Sequence, residues 1–321
     1  MLRATLNETE IRWALGLSQK GNRVVDGVAP LSAAEDRCLY FINKKMTEAI
    51  RESLAIRRGC IVIAPMGSSA GGELGDSIVL EVADPRLAIA KILRFIAAEG
   101  RQRPWVTEGK IESGAVISPL AIVDERVEID AGAIIEPFCV VEADVSIGRE
   151  SILKSGVRVY SRVAIGEKSI IGANTVIGHQ GYGFVRDELG NKIRIPHLGG
   201  VVIGSHVEIG ALVTVPSGTI GPTSVEERAK IDDHVHVGHN VRIGREASVT
   251  AGVVIGGSAV IAEEAWVGIN SSVRNGRHVG YRALVGMDVS VQQDLDDNSV
   301  ARAPRPDVRM RSDDEGNEFM F

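Results

Sequence analysis

Aromatic residues make up only 4% of the 321 positions, and no apolar run reaches the roughly 18–20 residues that span a bilayer. A transmembrane segment is therefore not expected. An excess of positive charge is missing too: 36 Lys and Arg stand against 42 Asp and Glu, a net charge of −6 that argues against a nucleic-acid partner. The first residues, MLRATLNETE, lack the apolar core and small-residue cleavage site of a secretory signal, which points to the cytoplasm. Cysteine is limited to Cys38, Cys60 and Cys139, odd in number and far apart, matching neither a disulfide framework nor a CxxC metal knuckle. They read as buried apolar thiols.

What the chain has in quantity is glycine (36 residues) with Val, Ile and Ala. Small branched side chains with many glycines suggest tightly stacked, repetitive β-structure. The repeat itself is legible. Every sixth residue from Ile111 through Ile177 is Ile, Leu or Val, twelve positions without exception. The beat lapses across 178–202, returns at Ile203, Ile209 and Val215, and lapses again across 216–230. It then runs from Ile231 through Val291 in eleven more positions. A hexapeptide period marks a parallel β-helix, in which each short strand is one face of a coil and three hexapeptides close the coil. The residue after the beat is often Gly, where the chain turns between faces.

The ends carry no such beat. NETEIRWALGLS reads as an amphipathic helix capped near Asn7 or Thr9. CIVIAP and SIVLEV read as buried strands, and PRLAIAKILRFIAAEG as a helix ended by Gly100. The expected architecture is mainly β. A small N-terminal α/β domain (1–105) precedes the β-helix (106–295), and a charged, proline-bearing tail (296–321) follows it.

The stretch HVHVGHN, residues 234–240, holds three of the seven histidines. Alone, it fits a metal site, a catalytic base with neighbours, or surface imidazoles on a strand. Val237 falls on the six-residue beat, so His234 and His236 read as outward neighbours on a strand, with His239 beyond the turn at Gly238.

The hexapeptide pattern resembles the left-handed parallel β-helix of the bacterial acyltransferases. That handedness is implied by the resemblance, since the usual crossover preference would predict a right-handed coil. The segments around the two lapses resemble the UDP-3-O-acylglucosamine N-acyltransferase family of lipid A biosynthesis. They are Gly181–Gly183 (Gly-Tyr-Gly), Ile195–Gly199 (Ile-Pro-His-Leu-Gly), Val207–Gly210 and Gly238–Val241. GVAPLSAAEDRCLYFINKKM and DPRLAIAKIL resemble its uridine-binding domain and that domain's closing helix. The resemblance covers roughly residues 20–295.

It implies transfer of a 3-hydroxyacyl group from an acyl thioester to the amine of a UDP-linked amino sugar. No bound cofactor is implied: acyl carrier protein or a CoA thioester is a co-substrate. A homotrimer with the site between subunits is also implied. Such a transfer needs a base for the amine and donors for the developing oxyanion. By resemblance His239 is the base, paired with Asn240, and the N–H of Gly257 serves the oxyanion. Tyr40 and Asn43 hold the uracil, while Gln180, Tyr182, Arg194 and His236 line the sugar or acyl site.

Several positions depart from the family pattern. Gln180 stands where the family has Asp, and Pro216–Gly218 where it has Asp-Arg-Gly. Met46 replaces an aromatic, Arg277 replaces a second histidine (with His278 beside it), and the C-terminal helices have no counterpart. These bear on substrate and donor, leaving open an acyl-CoA-dependent transfer to another nucleotide-linked amino sugar. Two readings of other classes are a non-catalytic sugar-binding scaffold and a zinc enzyme like the gamma-class carbonic anhydrases, for which His234 and His239 are spaced as a ligand pair.

Overall fold

The computed structural model describes residues 1–43, 46–68 and 74–304. The tail beyond 304 lies outside them. The N-terminal part is one five-stranded sheet with three helices. Its strands, in sheet order, are β1 (Leu2–Asn7), β2 (Val24–Val28), β3 (Cys38–Phe41), β4 (Ile61–Pro65) and β5 (Ile78–Val82), with only the β1–β2 pair antiparallel. Helix α1 (Glu8–Ala14) starts at a capping box: the Asn7 side chain accepts the Glu10 N–H, and the Glu10 carboxylate accepts the Asn7 N–H. Helix α2 (Glu48–Ala55) is a further element, one that the sequence pattern did not announce. Helix α3 (Pro85–Ala98) is capped by Asp84, begins with proline and is followed by Gly100 at φ +60°.

Three parallel sheets of ten, nine and nine strands then form the β-helix. The first runs from Val116–Ile117 to Val300–Ala301, the second from Ile122–Val123 to Ser290–Val291, and the third from Lys110–Ile111 to His278–Val279. Partners in successive coils are eighteen residues apart, as Ile134 with Ile152. The beat residues end the strands and point inward; from Ile129 onward each is at most 3% exposed. Ile111, in the first coil, is 59% exposed because no coil lies beneath it. Val300–Ala301 pairs with Leu284–Val285, so the coil continues into the stretch read as tail.

The structure revises two readings of the repeat. The second lapse is shorter than it looked, because Thr223–Val225 is already a strand of the third sheet and Val225 restores the beat. The glycine after the beat also has another reason. At Gly148, Gly204, Gly238 and Gly244 an added Cβ would lie 2.5–2.7 Å from backbone of the following coil, so these glycines permit close stacking. The left-handed backbone falls three residues past the beat instead, and is often not glycine: Glu150, Asn174, His234, Asn240 and Asn270 have φ between +55° and +59°.

The two parts are locked together. Buried Asp144 accepts N–H bonds from Trp105 and Val106, the latter at 2.6 Å, and Arg162 donates to the Arg103 carbonyl at 3.0 Å. The Arg162 guanidinium also lies over the Trp105 ring, 5.1 Å from its centroid. Ile195, Leu198 and Ile220, from the two interruptions of the coil, join the apolar cluster of α3 and the sheet. The N-terminal domain thus rests on the interruptions.

Candidate active site

One corner of the coil, between the second and third sheets, gathers several of the expected site residues. Two residues past the strand end, successive coils place His179, Ser217, His239 and Gly257 there. The two interruptions fold over this corner. The first contains a hairpin, Phe184–Arg186 with Lys192–Arg194, and its far end pairs with the second through Leu198 N–H to Thr219 O (3.0 Å) and Gly199 N–H to Gly218 O (2.8 Å).

His239 is half-buried, with Nδ1 2.9 Å from the Asn240 amide nitrogen. Asn240 takes the left-handed position, φ +59°, that short polar side chains tolerate. Its Oδ1 accepts from Thr219 N–H at 2.6 Å and its Nδ2 donates to Thr219 Oγ1 at 3.1 Å, while its own N–H donates to Thr223 Oγ1 at 2.9 Å. Thr219 therefore holds the side-chain amide at both ends and Thr223 holds the backbone, leaving the amide nitrogen facing the imidazole. On the other side of the ring, a Cβ on Gly257 would lie 2.7 Å from Nε2. Only glycine leaves the ring its place. Among the described residues the Gly257 N–H has no hydrogen-bond partner.

Three further histidines surround His239. His197 is 3% exposed and meets it edge-on, with ring centroids 4.7 Å apart and planes at 61°. His236 projects outward on the neighbouring strand, its Nδ1 2.7 Å from Thr214 Oγ1. His179 is half-buried, with no partner for Nδ1. Burial holds the His239 pKa below the ordinary imidazole value, with the charges of Arg86 on α3 and of His236 adding to it. His197 is pushed down to about 4, first by burial and then by His239. These rings favour the neutral state.

The remaining expected site residues fall unevenly. Gln180 is committed to the chain itself: its Oε1 accepts the His197 N–H at 2.9 Å and its Nε2 donates to the His197 carbonyl at 3.2 Å. Arg194 donates to the Gly181 carbonyl at 2.9 Å and lies over the Phe184 ring, 4.6 Å from its centroid. Tyr182 is 83% exposed beside the same Phe184. Asn43 is exposed just past β3.

Tyr40 is a correction. It is wholly buried on the α2 side of the sheet, with one ring face under the Arg57 guanidinium and its hydroxyl donating to the Glu35 carbonyl at 2.7 Å. No face remains for a uracil. Strand alternation sends Leu39 and Phe41, not Tyr40, toward the interruptions. His234 also differs from expectation. It occupies the left-handed position of the corner before the strand, at φ +58°, and not the strand itself. His234 and His239 thus stand at different corners of the coil, an arrangement unlike a shared ligand pair. Among the described residues no group of three or more His, Cys, Asp or Glu is placed to hold a metal ion.

His197 and His179 were not singled out in the sequence. His179 was within reach, since it lies two residues past the beat at Ile177, as His239 does past Val237. His197 was not, because its approach depends on how the interruption folds back.

The fold and this corner define a parallel β-helix of the hexapeptide class. The family described as bacterial transferase hexapeptide (six repeats) matches residues 222–257. The UDP-3-O-acylglucosamine N-acyltransferase of a Bradyrhizobium sp. is 36% identical over 248 residues, spanning 73% of this chain and 68% of that protein. The chain belongs to the UDP-3-O-acylglucosamine N-acyltransferase family. A more local match, 45% over 87 residues, links it to UDP-3-O-acylglucosamine N-acyltransferase 2 of Legionella pneumophila, of which it spans a quarter of the length. Among solved structures, the UDP-N-acetylglucosamine acyltransferase of Francisella novicida superposes with a TM-score of 0.51 at 31% identity, covering 56% of this chain and 63% of that one. Among the described residues, no helix is long and apolar enough to cross a membrane.

Proposed function

We propose that the protein is a cytoplasmic N-acyltransferase that moves a 3-hydroxyacyl group from a thioester to the amine of a UDP-linked amino sugar, as in lipid A biosynthesis. The observation that carries the reading is the His239 corner: a half-buried imidazole contacted at Nδ1 by Asn240, with Gly257 against its Nε2 side and the Gly257 N–H unpaired among the described residues. The activity for which the relatives are named supplies the substrate class.

In this reading the amine attacks the thioester carbonyl carbon while His239 Nε2 takes its proton. The Gly257 N–H donates to the resulting oxyanion. Collapse breaks the C–S bond, and the imidazolium returns the proton to the departing thiolate. A base at Nε2 requires the neutral tautomer protonated at Nδ1, with that N–H donating to an oxygen of residue 240. The Asn240 amide presents nitrogen to the ring, because its oxygen is taken by Thr219 N–H. The step therefore involves a half-turn of the amide, against the Thr219 bond.

Asn43 and Tyr182 are the exposed candidates for nucleotide and sugar contacts; Gln180 and Arg194 act on the interruption that carries Tyr182. Because Gln180 and Ser217 bond internally, to His197 and to the Gly178 carbonyl, the acceptor's contacts at these two departures differ from the family pattern. That favours, as a second reading, transfer to another nucleotide-linked amino sugar, for which a CoA thioester is the alternative donor. Self-association, as a homotrimer, is supported by the outward row of the first sheet, where Val116, Ile134, Ile170, Trp266, Leu284 and Val300 are 36–60% exposed. A donor and acceptor screen decides between the readings. Acyl carrier protein and CoA thioesters are each offered with UDP- and dTDP-amino sugars. Turnover with none of them would refute the proposal.

A further inference from the structure

We propose that His197 is a positioning residue for His239: packed edge-on against that imidazole, it fixes the ring plane and keeps water off one side of it. The inference rests on the reading of His239 as the base. Nothing in the hexapeptide pattern calls for a histidine here, since residue 197 lies in the first interruption and reaches the corner only because that segment folds back.

Its placement is closely determined. Gln180 clamps residue 197 by both backbone groups, through Oε1 to the N–H and Nε2 to the carbonyl. A carboxylate at 180 would accept the first bond but could not donate the second. Glycine is needed on the ring's flank. A Cβ at Gly181 would lie 2.7 Å from His197 Cδ2 and 2.9 Å from His239 Cβ, and one at Gly183 would lie 2.9 Å from His197 Cε1. The two imidazoles then meet at 61°, a favoured edge-to-face arrangement. His197 Nδ1 is buried without a close hydrogen-bond partner, and the Ile195 backbone acts on the ring only after burial and the neighbouring His239. The contact with His239 is the ring's specific one.

The charged and titratable groups around the pair are few. Arg86 of α3 and His236 of the adjacent strand face His239, while Arg194 and His179 face His197. All oppose protonation of the two rings, and beside the Asn240 contact at Nδ1 the other control on the His239 proton is water access. Opening space at residue 197 admits water and raises the His239 pKa toward its ordinary value.

The test combines ring titration, by NMR of full-length protein labelled with 13C-histidine, with pH-rate profiles. His197→Ala is expected to raise the His239 midpoint, move the acid limb of kcat/KM upward by the same amount, and lower kcat about tenfold with KM for the sugar nucleotide little changed. His197→Leu, which refills the space without a ring nitrogen, is expected to restore a low midpoint and most of kcat. Gln180→Ala, an exposed change, should shift the midpoint in the same direction by less, and carries the test if His197→Ala does not fold. Unmoved midpoints in folded His197→Ala and Gln180→Ala would overturn the proposal, as would a His197→Leu variant as impaired as His197→Ala. If the wild type shows no acyl transfer, the proposed function fails, while the ring titration still decides the positioning role.

Discussion

Gly257 stands one coil beyond His239 at the same corner, and a methyl group placed on it would lie 2.7 Å from the imidazole Nε2. No real Cβ tolerates that approach, so the ring must move. Gly257→Ala is therefore expected to lower kcat by about 100-fold, the scale of a misplacement near 1 Å, while melting stays near that of the wild type. Steady-state kinetics with thermal melts check this. Wild-type turnover in a folded variant would mean that the ring position does not matter.

Asn240→Asp separates the two tautomers. A carboxylate can accept the Thr219 N–H with one oxygen and the His239 Nδ1–H with the other, so the base-competent ring forms without turning a side chain. The negative charge also favours the imidazolium, raising the His239 pKa. Because the base works when unprotonated, the acid limb of the pH-rate profile should move up by about one unit, with the plateau above it retained. A plateau reduced as much as in Asn240→Ala would argue that His239 donates a proton from Nε2 in its working state.

Much of this was legible in advance, and the reason is periodicity. The inward row from Ile129 to Val291 was readable because each coil repeats one environment, so a residue's role follows from its position modulo six. His239 and Asn240 could be placed as soon as Val237 was on the beat. The misplaced residues are those whose surroundings are not periodic. Tyr40 was read as a stacking aromatic, but it lies on the far face of β3, where alternation rather than neighbouring motif residues decides burial. Val225 was hidden in a lapse because the segment before it, 216–222, disturbs the count by a non-multiple of six. His197 belongs to a segment whose folding over the corner depends on contacts with the second interruption.

Asp144 and Arg162 make a different kind of claim, about the joint between the two parts. Burial pushes the Asp144 carboxyl up and the Arg162 guanidinium down, and neither is fully compensated by the other. Working against that rise are the N–H bonds from Val106 and Trp105. Asp144→Ala strands a buried guanidinium and two backbone donors, with a cost of about 3 kcal/mol. Denaturant unfolding followed by tryptophan emission should show it; a loss under about 1 kcal/mol would contradict the clamp.

Acid should weaken the fold at His197. The ring is neutral in the folded protein, with a pKa of about 4, and protonates near 6.5 when unfolded. Its folded pKa is depressed, so the unfolded state binds more protons between those values. Stability is complete above pH 6.5, falls as pH drops toward 4, and levels off below it, by on the order of 3 kcal/mol. His197→Leu should flatten this part of the pH–stability curve. A wild-type curve already flat between pH 6.5 and 4 would rule the effect out.

The most direct measurement is the turnover of His239→Ala, with the acyl thioester and UDP-amino sugar that the wild type uses, alongside binding of the sugar nucleotide. Loss of a positioned base predicts a kcat lower by about 10²–10⁴-fold with binding unchanged within about twofold. A folded His239→Ala protein that turns over at the wild-type rate would contradict the account.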